Sequence, residues 1–170
     1  MNPREKIHRD EPGLNATIRA ATSSDMDAIG RLGALLVRAH HDFDEKRFIA
    51  ATNETPQGYG SFLRSQLSKD NVFVLVAEVD GSIAGYAYAG LEGYDWMALR
   101  GPAGAIYDIL VDPARRRHGI GESLLAAAIA KLESVGAPQI VLSTAYGNAE
   151  AQRLFERAGF RRTMIEMTRD

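Results

Sequence analysis

Cysteine is absent from the 170 residues of this chain. Without a thiol, the chain has no disulfide framework, no thiolate metal ligand, no thiol redox centre and no cysteine nucleophile. A strong charge of one sign is also missing, because 20 basic residues face 22 acidic ones and the formal net charge is −2. A general nucleic-acid-binding surface needs a clear basic excess, so this balance argues against one.

Long apolar runs are missing as well. No stretch reaches the roughly 18–20 apolar residues that a membrane-spanning helix needs. The first ten residues are largely polar or charged and contain no apolar core, unlike a signal peptide. We therefore expect a cytoplasmic protein that acts neither at a membrane nor on nucleic acid, and we expect no metal site.

The length and composition predict one globular domain. Hydrophobic residues make up 45% and charged residues 25% of the chain, which is ordinary for a globular protein. A domain usually takes roughly 100–200 residues. Residues 1–15 are polar and contain Pro3, Pro12 and Gly13, so we expect them to form a flexible arm ahead of a single domain over residues 16–170.

Hydrophobic periodicity predicts a mixed α/β fold in the order β-α-α-β-β-β-α-β-α-β. Asp80-Gly81 between two β-rich runs indicates a hairpin. The strand–helix–strand unit over residues 105–143 predicts a parallel pair in an otherwise antiparallel sheet flanked by helices. The predicted strands cover residues 16–20, 71–79, 82–91, 105–111, 140–143 and 160–167, and the helices 22–40, part of 48–70, 121–134 and 148–158.

The most informative segment is an arginine- and glycine-rich turn that follows a strand and opens a helix. Arg115, Arg116, Arg117 and His118 precede Gly119 and Gly121, and no Ser, Thr, Asp or Asn stands next to the helix start as a cap. Free amides at the positive end of a helix bind anions, most often phosphate. A solvated basic turn whose glycines only shape the bend is the alternative. The spacing fits neither a P-loop nor a dinucleotide fingerprint.

Two motifs resemble the GNAT superfamily of N-acetyltransferases. Arg116-Arg117-His118-Gly119-Ile120-Gly121 is similar to its Arg/Gln-x-x-Gly-x-Gly/Ala signature. The run from Asn148 to Phe160 resembles the Asn-x-x-Ala…Tyr-Glu-x-x-Gly-Phe helix of the family. The resemblance covers nearly the whole chain from residue 16 onward. It implies the GNAT fold, with one parallel splayed strand pair, and a direct transfer of acetyl from acetyl-CoA to an amine.

The resemblance also implies which residues bind the co-substrate. The amides from Arg116 to Glu122 would hold the pyrophosphate, and the strand edge near Ile109 and Val111 would pair with the pantetheine arm, as a peptide adds to a sheet edge. Asn148 would contact the pantetheine, although a plain helix N-cap explains it equally well. The complete expected set is Ile109, Leu110, Val111, Arg116, Arg117, His118, Gly119, Ile120, Gly121, Glu122, Asn148 and Phe155.

Phe155 stands where the family usually has a proton-donating tyrosine. Phenylalanine has no acidic hydrogen, so the role of proton donor is vacant or moved to another residue. Tyr146 is the nearest substitute, with a packed loop tyrosine as the alternative. Asp108 on the central strand would serve as the base, unless it only bonds a backbone amide. Because side chains alternate along a strand, we expect only one of Tyr107 and Asp108 to face the cleft.

The resemblance places the acceptor pocket between the first two helices and the loops of the strand meander. Acidic and aromatic side chains there suit a cationic amine: His40, His41, Asp42, Phe43, Asp44, Glu45, Tyr94, Asp95 and Trp96. A small-molecule amine is therefore the expected acceptor. A protein lysine or N-terminus, and a CoA-binding module without catalysis, remain alternatives.

The C-terminus is short for the family. Only ten residues follow Phe160, which leaves room for one strand where relatives usually have two. A missing partner strand would leave an open sheet edge. We expect a homodimer or the N-terminal arm to cover that edge.

Overall fold

The computed structural model describes residues 15–169, which form one mixed sheet with helices on both faces. The sheet order is β1-β2-β3-β4-β5; every neighbouring pair is antiparallel except β4 and β5, which run parallel. The elements are β1 (Thr17–Ala20), α1 (Met26–Phe43), α2 (Thr55–Gln66), β2 (Val72–Val79), β3 (Ser82–Glu92), β4 (Ala103–Val111), α3 (Ile120–Ser134), β5 (Ile140–Leu142) and α4 (Ala149–Arg157). The fold class predicted from periodicity is confirmed.

The hairpin between β2 and β3 forms where the sequence predicts it. Asp80 and Gly81 both have left-handed backbone conformations, with φ of 50° and 74°. Two successive left-handed residues match the twist of the flanking strands, which is why Asp-Gly favours this tight turn. The predicted parallel pair of β4 and β5 is confirmed too, with Gly104 opposite Ile140 and Ile106 opposite Leu142.

Each face of the sheet carries its own apolar core. On one face, Leu124, Leu125 and Leu132 of α3 are buried against small β-strand residues such as Ala87 and Ala89. On the opposite face, α1 and α2 cover a core with larger side chains: Met26, Ile29, Leu63, Val74, Val76, Tyr86, Tyr88 and Leu110. The aromatic side chains of β3 therefore lie under α1 and α2.

Helices α1 and α2 approach each other closely because glycines face their contact. A Cβ added to Gly30 would lie 2.2 Å from the Pro56 carbonyl oxygen, and one added to Gly60 would lie 2.7 Å from the Met26 carbonyl oxygen. Such distances leave no room for any side chain. One turn further along α1, a Cβ on Gly33 would lie 2.1 Å from the Tyr59 ring, so Gly33 provides the space in which that ring sits.

The predicted last strand over residues 160–167 is wrong, because residues 160–169 form no strand. β5 is only three residues long and offers a short edge for pairing. The Arg47–Glu166 ion pair instead links the segment to the α1–α2 connection. Of the predicted arm, residues 1–14 lie outside the described residues. A second copy covering the β5 edge stays a prediction; a monomer in light scattering would contradict it.

None of the helices in the described part of the chain is both long enough and apolar enough to cross a membrane.

Candidate active site

The site begins where β4 and β5 separate. Their pairing ends at Ile106 and Leu142, yet β4 continues for five more residues to Val111. On its other side this segment stays paired with β3, as Leu110 opposite Tyr86 shows. The β5-side edge of residues 107–111 therefore lacks a strand partner and offers its backbone groups to an extended ligand. The predicted residues Ile109, Leu110 and Val111 lie on this edge.

The turn after β4, which we call the Arg/Gly turn (residues 112–119), leads directly into α3. Asp112 stabilises its start by accepting the Ala114 amide at 2.9 Å. Arg117 and Gly119 take left-handed conformations, with φ of 67° and 77°. A left-handed conformation is uncommon for a residue with a side chain, so the turn imposes an unfavourable backbone geometry on Arg117.

Helix α3 begins at this turn without a side-chain cap. Gly119 is its N-cap residue and supplies no side-chain hydrogen bond. The Ser123 amide donates to the Gly119 carbonyl at 3.0 Å. The amides of Ile120, Gly121 and Glu122 precede that bond and belong to the first turn, where helices leave donors free for an anion. The predicted absence of a cap is confirmed.

The glycines of this region keep open space in front of those amides. A Cβ on Gly119 would meet nothing within 4 Å, and one on Gly121 would make only ordinary contacts with Val111 and Leu154, at 3.6 and 3.7 Å. Packing inside the protein therefore does not explain Gly121. The geometry fits a pyrophosphate that approaches the backbone closely.

Arg116 extends from the turn toward β4 and α4. Its Nε donates to the Val111 carbonyl at 3.4 Å, and its guanidinium lies 3.8 Å from the Glu150 carboxylate. Glu122 pairs with Arg157 at 2.9 Å. These ion pairs are exposed and contribute little to stability.

A β-bulge in β4 places Tyr107 and Asp108 on one face of the sheet. Tyr88 pairs with Asp108 whereas Ala89 pairs with Ile106, so Tyr107 has no opposite residue on β3. Tyr107 packs on Tyr88 with ring centroids 4.7 Å apart, and Asp108 meets Tyr59 of α2. A bulge breaks the alternation of side chains, so alternation is not what decides which of the two residues faces the cleft.

Asp108 is the centre of a polar cluster, the Asp108 cluster, formed with Tyr59, Tyr86 and His40. The Tyr59 hydroxyl donates to Oδ2 of Asp108 and lies 2.7 Å from the Tyr86 hydroxyl. Because Tyr59 has one hydroxyl hydrogen and gives it to the carboxylate, Tyr86 must donate to Tyr59. His40 Nδ1 donates to the Leu36 carbonyl at 2.9 Å, which fixes its ring at the edge of the cluster.

Burial controls the protonation of this cluster. It raises the pKa of Asp108 above its usual range, while the Tyr59 hydrogen bond and the His40 charge act in the opposite direction. Burial also raises the pKa of Tyr59 and of Tyr86, so both stay protonated as donors. A carboxylate with a raised pKa is a better proton acceptor near neutral pH.

A cavity of about 280 Å³ opens beside Asp108 between α1, α2 and the segment that joins them. Its volume lies near the lower end of the range for small-molecule sites, roughly 300–1,000 Å³. Its lining is mainly apolar and consists of Leu36, Val37, His40, Phe48, Ile49, Tyr59 and Asp108.

Tyr146, Asn148 and Phe155 occupy three different environments. Tyr146 lies in the loop between β5 and α4 and is 97% exposed. Asn148 is the N-cap of α4 and accepts the Ala151 amide at 3.1 Å, so its capping role is confirmed. Phe155 is only 6% exposed and packs edge-on against Phe160. The structure thus places Phe155 in the apolar core that α3 forms with the sheet.

Of the predicted acceptor-pocket residues, His40 belongs to the Asp108 cluster and Phe43 packs edge-on against its ring, with ring centroids 6.3 Å apart. The others line different surfaces. A wide, open depression of about 640 Å³ is lined by His41, Asp42, Phe43, Asp44, Glu45 and Lys46. In the β3–β4 loop, Tyr94 stacks on Trp96, which is 78% exposed, and Asp95 accepts the amides of Met97 and Ala98. Within residues 15–169, no group of three His, Asp or Glu side chains is placed to hold a metal ion.

Sequence reasoning missed Tyr59, Tyr86 and the apolar lining of the cavity. The available signal was Gly30 and Gly33 on α1, three residues apart and hence on one face of the helix. Small residues on one face permit a close helix–helix approach, and that approach brings Tyr59 over β4. No local pattern marks Tyr59 itself.

Sequence comparisons relate this chain to known acetyltransferases. Mycothiol acetyltransferase from Thermobispora bispora is 35% identical over 96 residues, covering 54% of this chain but only 31% of that protein. Phosphinothricin N-acetyltransferase from Streptomyces viridochromogenes is 29% identical over 148 residues, covering 84% of this chain and 73% of that one. The chain thus spans about a third of the length of the mycothiol enzyme.

A solved structure shares the fold. A protein from Clostridium acetobutylicum, described as a predicted acetyltransferase and solved with acetyl-CoA, superposes with a TM-score of 0.69 at 14% identity, covering 90% of this chain and 96% of that one. The family model described as "Acetyltransferase (GNAT) family" matches residues 31–160, most of the chain. The two motifs at Arg116–Gly121 and Asn148–Phe160 lie within that match, and the chain belongs to the acetyltransferase (GNAT) family.

Proposed function

We propose that this chain transfers an acetyl group from acetyl-CoA to the primary amine of a small molecule. One observation carries the proposal. Asp108, a carboxylate whose pKa burial raises, lies on β4 where the unpaired edge begins and also lines the 280 Å³ cavity. An amine in the cavity and a thioester along the edge would meet beside a proton acceptor.

The Arg/Gly turn and the β4 edge would hold the co-substrate. The first-turn amides of α3 and the positive end of that helix suit its pyrophosphate, with Arg116, Arg117 and His118 adding charge. Backbone groups near Ile109 and Val111 suit the amide-containing pantetheine arm, which would extend the sheet at an edge that β5 leaves free. Asn148, the N-cap of α4, would contact the pantetheine arm.

Acetyl-CoA supplies the activated acetyl group, and the chain supplies the proton acceptor and the orientation. A free alkylamine has a pKa near 10.4 and is mostly protonated at neutral pH. Asp108 would take the proton from the ammonium, directly or through one water. The neutral amine nitrogen then bonds to the carbonyl carbon and gives up a second proton to solvent or to the departing sulfur. The carbon–sulfur bond breaks with its electron pair leaving on sulfur, which yields the amide and coenzyme A. A free β4 amide would donate to the carbonyl oxygen.

The departing thiolate needs no strong acid, because a thiol is far more acidic than an amine. Tyr146 is the proposed donor if one is used, since its exposed hydroxyl belongs to the loop that precedes α4. Y146F separates the two cases. An unchanged rate assigns the proton to solvent, and a large loss assigns it to Tyr146.

Thiol release from acetyl-CoA in the presence of an amine panel tests the proposal. The panel contains small primary amines and a lysine-containing peptide, and hydrolysis without amine is the baseline. Turnover with a small amine supports the proposal. Turnover with the peptide alone assigns the activity to protein substrates. Binding of coenzyme A without turnover above hydrolysis shows a non-catalytic binding module.

A further inference from the structure

We infer that the acceptor is a monoamine with an apolar body, such as an alkylamine or arylalkylamine, rather than a polycationic amine. The inference rests on the proposed function and defines its substrate class. It follows from the lining of the 280 Å³ cavity, which combines one carboxylate with several aliphatic and aromatic walls.

The polar groups of the cavity are gathered at one end. Asp108 and Tyr59 are hydrogen-bonded to each other. His40 is tied to the α1 backbone by its Nδ1 and packs edge-on against Phe48, with ring centroids 5.0 Å apart. One positively charged nitrogen can therefore be paired at this end, beside Asp108.

The rest of the cavity offers no partner for a second charge. Leu36, Val37, Phe48 and Ile49 form its walls. A desolvated ammonium against such walls is strongly disfavoured. The acidic residues Asp42, Asp44 and Glu45 line the separate depression at the end of α1, where Asp44 already accepts the amides of Lys46 and Arg47 at 3.1 Å.

The cavity volume also limits the length of the acceptor. Each methylene that moves from water onto apolar walls adds roughly 0.8 kcal/mol, about fourfold in kcat/KM. We expect kcat/KM to rise by about that factor per carbon from propylamine to hexylamine. The increase in kcat/KM should then level off once the alkyl chain of a longer amine extends past Ile49, which is 77% exposed at the mouth of the cavity.

Hexylamine and 1,6-diaminohexane test the inference, because they share a chain length and differ by one terminal ammonium. We expect the wild-type protein to prefer hexylamine by at least about tenfold in kcat/KM. I49D should narrow or reverse that ratio, because a carboxylate at the mouth pairs with the second ammonium. I165D is the matched control, since Ile165 is 85% exposed and outside the cavity lining; it should leave the ratio unchanged.

A preference of the wild type for the diamine, or an I49D ratio equal to that of I165D, would overturn the inference. Calorimetric titration of both amines into the protein with coenzyme A measures the same preference without turnover. If neither amine is acetylated but hexylamine binds more tightly, the proposed acetyl transfer is wrong and the inference about the cavity holds. If both amines are acetylated and the diamine is preferred, the proposed acetyl transfer is supported and the inference about the cavity is wrong.

Discussion

The Arg/Gly turn and the Asp108 cluster lie at the two ends of one five-residue strand edge, yet they are built in opposite ways. The turn is continuous in sequence and exposed, and it presents uncapped backbone amides at the start of α3. The cluster draws Asp108 from β4, Tyr86 from β3, Tyr59 from α2 and His40 from α1. Tyr86 is buried, and the other three are half-buried. A backbone site can therefore be recognised from a short motif, whereas a side-chain site depends on packing.

The same difference predicts how each region fails. Substitutions in the Arg/Gly turn should affect co-substrate affinity and leave the fold intact. Substitutions in the Asp108 cluster should affect the rate, the pH profile and, where α1 meets α2, the stability. Four experiments, taken from the largest expected effect to the smallest, test this separation.

Asp108→Asn should produce the largest loss. Removing a general base lowers kcat by roughly 10²–10⁴-fold, while the affinity for coenzyme A should stay within about twofold because the amides of α3 are untouched. Steady-state kinetics and calorimetry measure the two quantities. Because burial disfavours the charged form of Asp108, the variant should unfold at no lower denaturant concentration than wild type.

The matched control is Asp70→Asn, a change of the same chemistry at an exposed position outside the site. It should leave kcat unchanged. An Asp108→Asn enzyme with wild-type kcat would show that Asp108 is not the base.

Gly119→Leu should weaken coenzyme A binding by about 10–150-fold, the effect of losing one hydrogen bond to a charged group. Gly119 has a φ of 77°, so a side chain both strains the turn and blocks the approach to the amides. Gly81→Leu places the same side chain at a φ of 74° in the β2–β3 hairpin, also in open space. Gly81→Leu should bind coenzyme A as tightly as the wild type does. An equal loss of affinity in both variants would show that backbone strain, and not a blocked phosphate site, weakens binding.

Tyr59→Phe should lower kcat by about tenfold through loss of a hydrogen bond to a charged group. It should also shift the pH profile. Asp108 acts as a base when ionised, so activity falls as the pH drops through its raised pKa. The Tyr59 hydrogen bond lowers that pKa, and removing it moves the acidic limb to higher pH. Tyr94→Phe, on the exposed β3–β4 loop, is the control and should leave the limb in place. An unmoved limb in Tyr59→Phe would contradict a positioning role.

Gly33→Ala should have the smallest effect on chemistry but a measurable effect on stability. The new Cβ would collide with the Tyr59 ring at 2.1 Å, and overpacking of this kind lowers the free energy of unfolding by about 1–3 kcal/mol. Gly58→Ala on α2 meets nothing within 4 Å and should instead add about 0.5–1 kcal/mol. Urea unfolding measures both. Equal free energies of unfolding for Gly33→Ala and Gly58→Ala would mean that the packing of the Tyr59 ring does not require the space at Gly33.

Several elements could be predicted from the sequence because their signals are local. Asp80-Gly81 fixed the β2–β3 hairpin through the backbone conformations that those two residues allow. The Arg/Gly turn, the uncapped start of α3 and the Asn148 cap of α4 are likewise properties of adjacent residues. The prediction of a last strand over residues 160–167 was wrong because a strand needs a partner, and the three-residue β5 offers little edge for pairing.

Tyr107 and Asp108 show the limit of local reasoning most directly. Alternation along β4 predicted that only one of them faces the cleft. The register with β3 skips Tyr107, so both lie on the α1–α2 side, and it is Asp108 that lines the cavity. Register is a property of two strands together, so neither strand alone encodes the bulge.

By itself, the sequence determined the family, the element order up to α4 and the uncapped start of α3, since each depends on neighbouring residues. Only the tertiary structure brought together the Asp108 cluster and the cavity beside it. The close glycine contacts of α1 and α2 set Tyr59 above Asp108, the bulge aims Asp108 at it, and burial sets the protonation of the pair. Such a site depends on distances between four elements, and those distances exist only once the chain has packed.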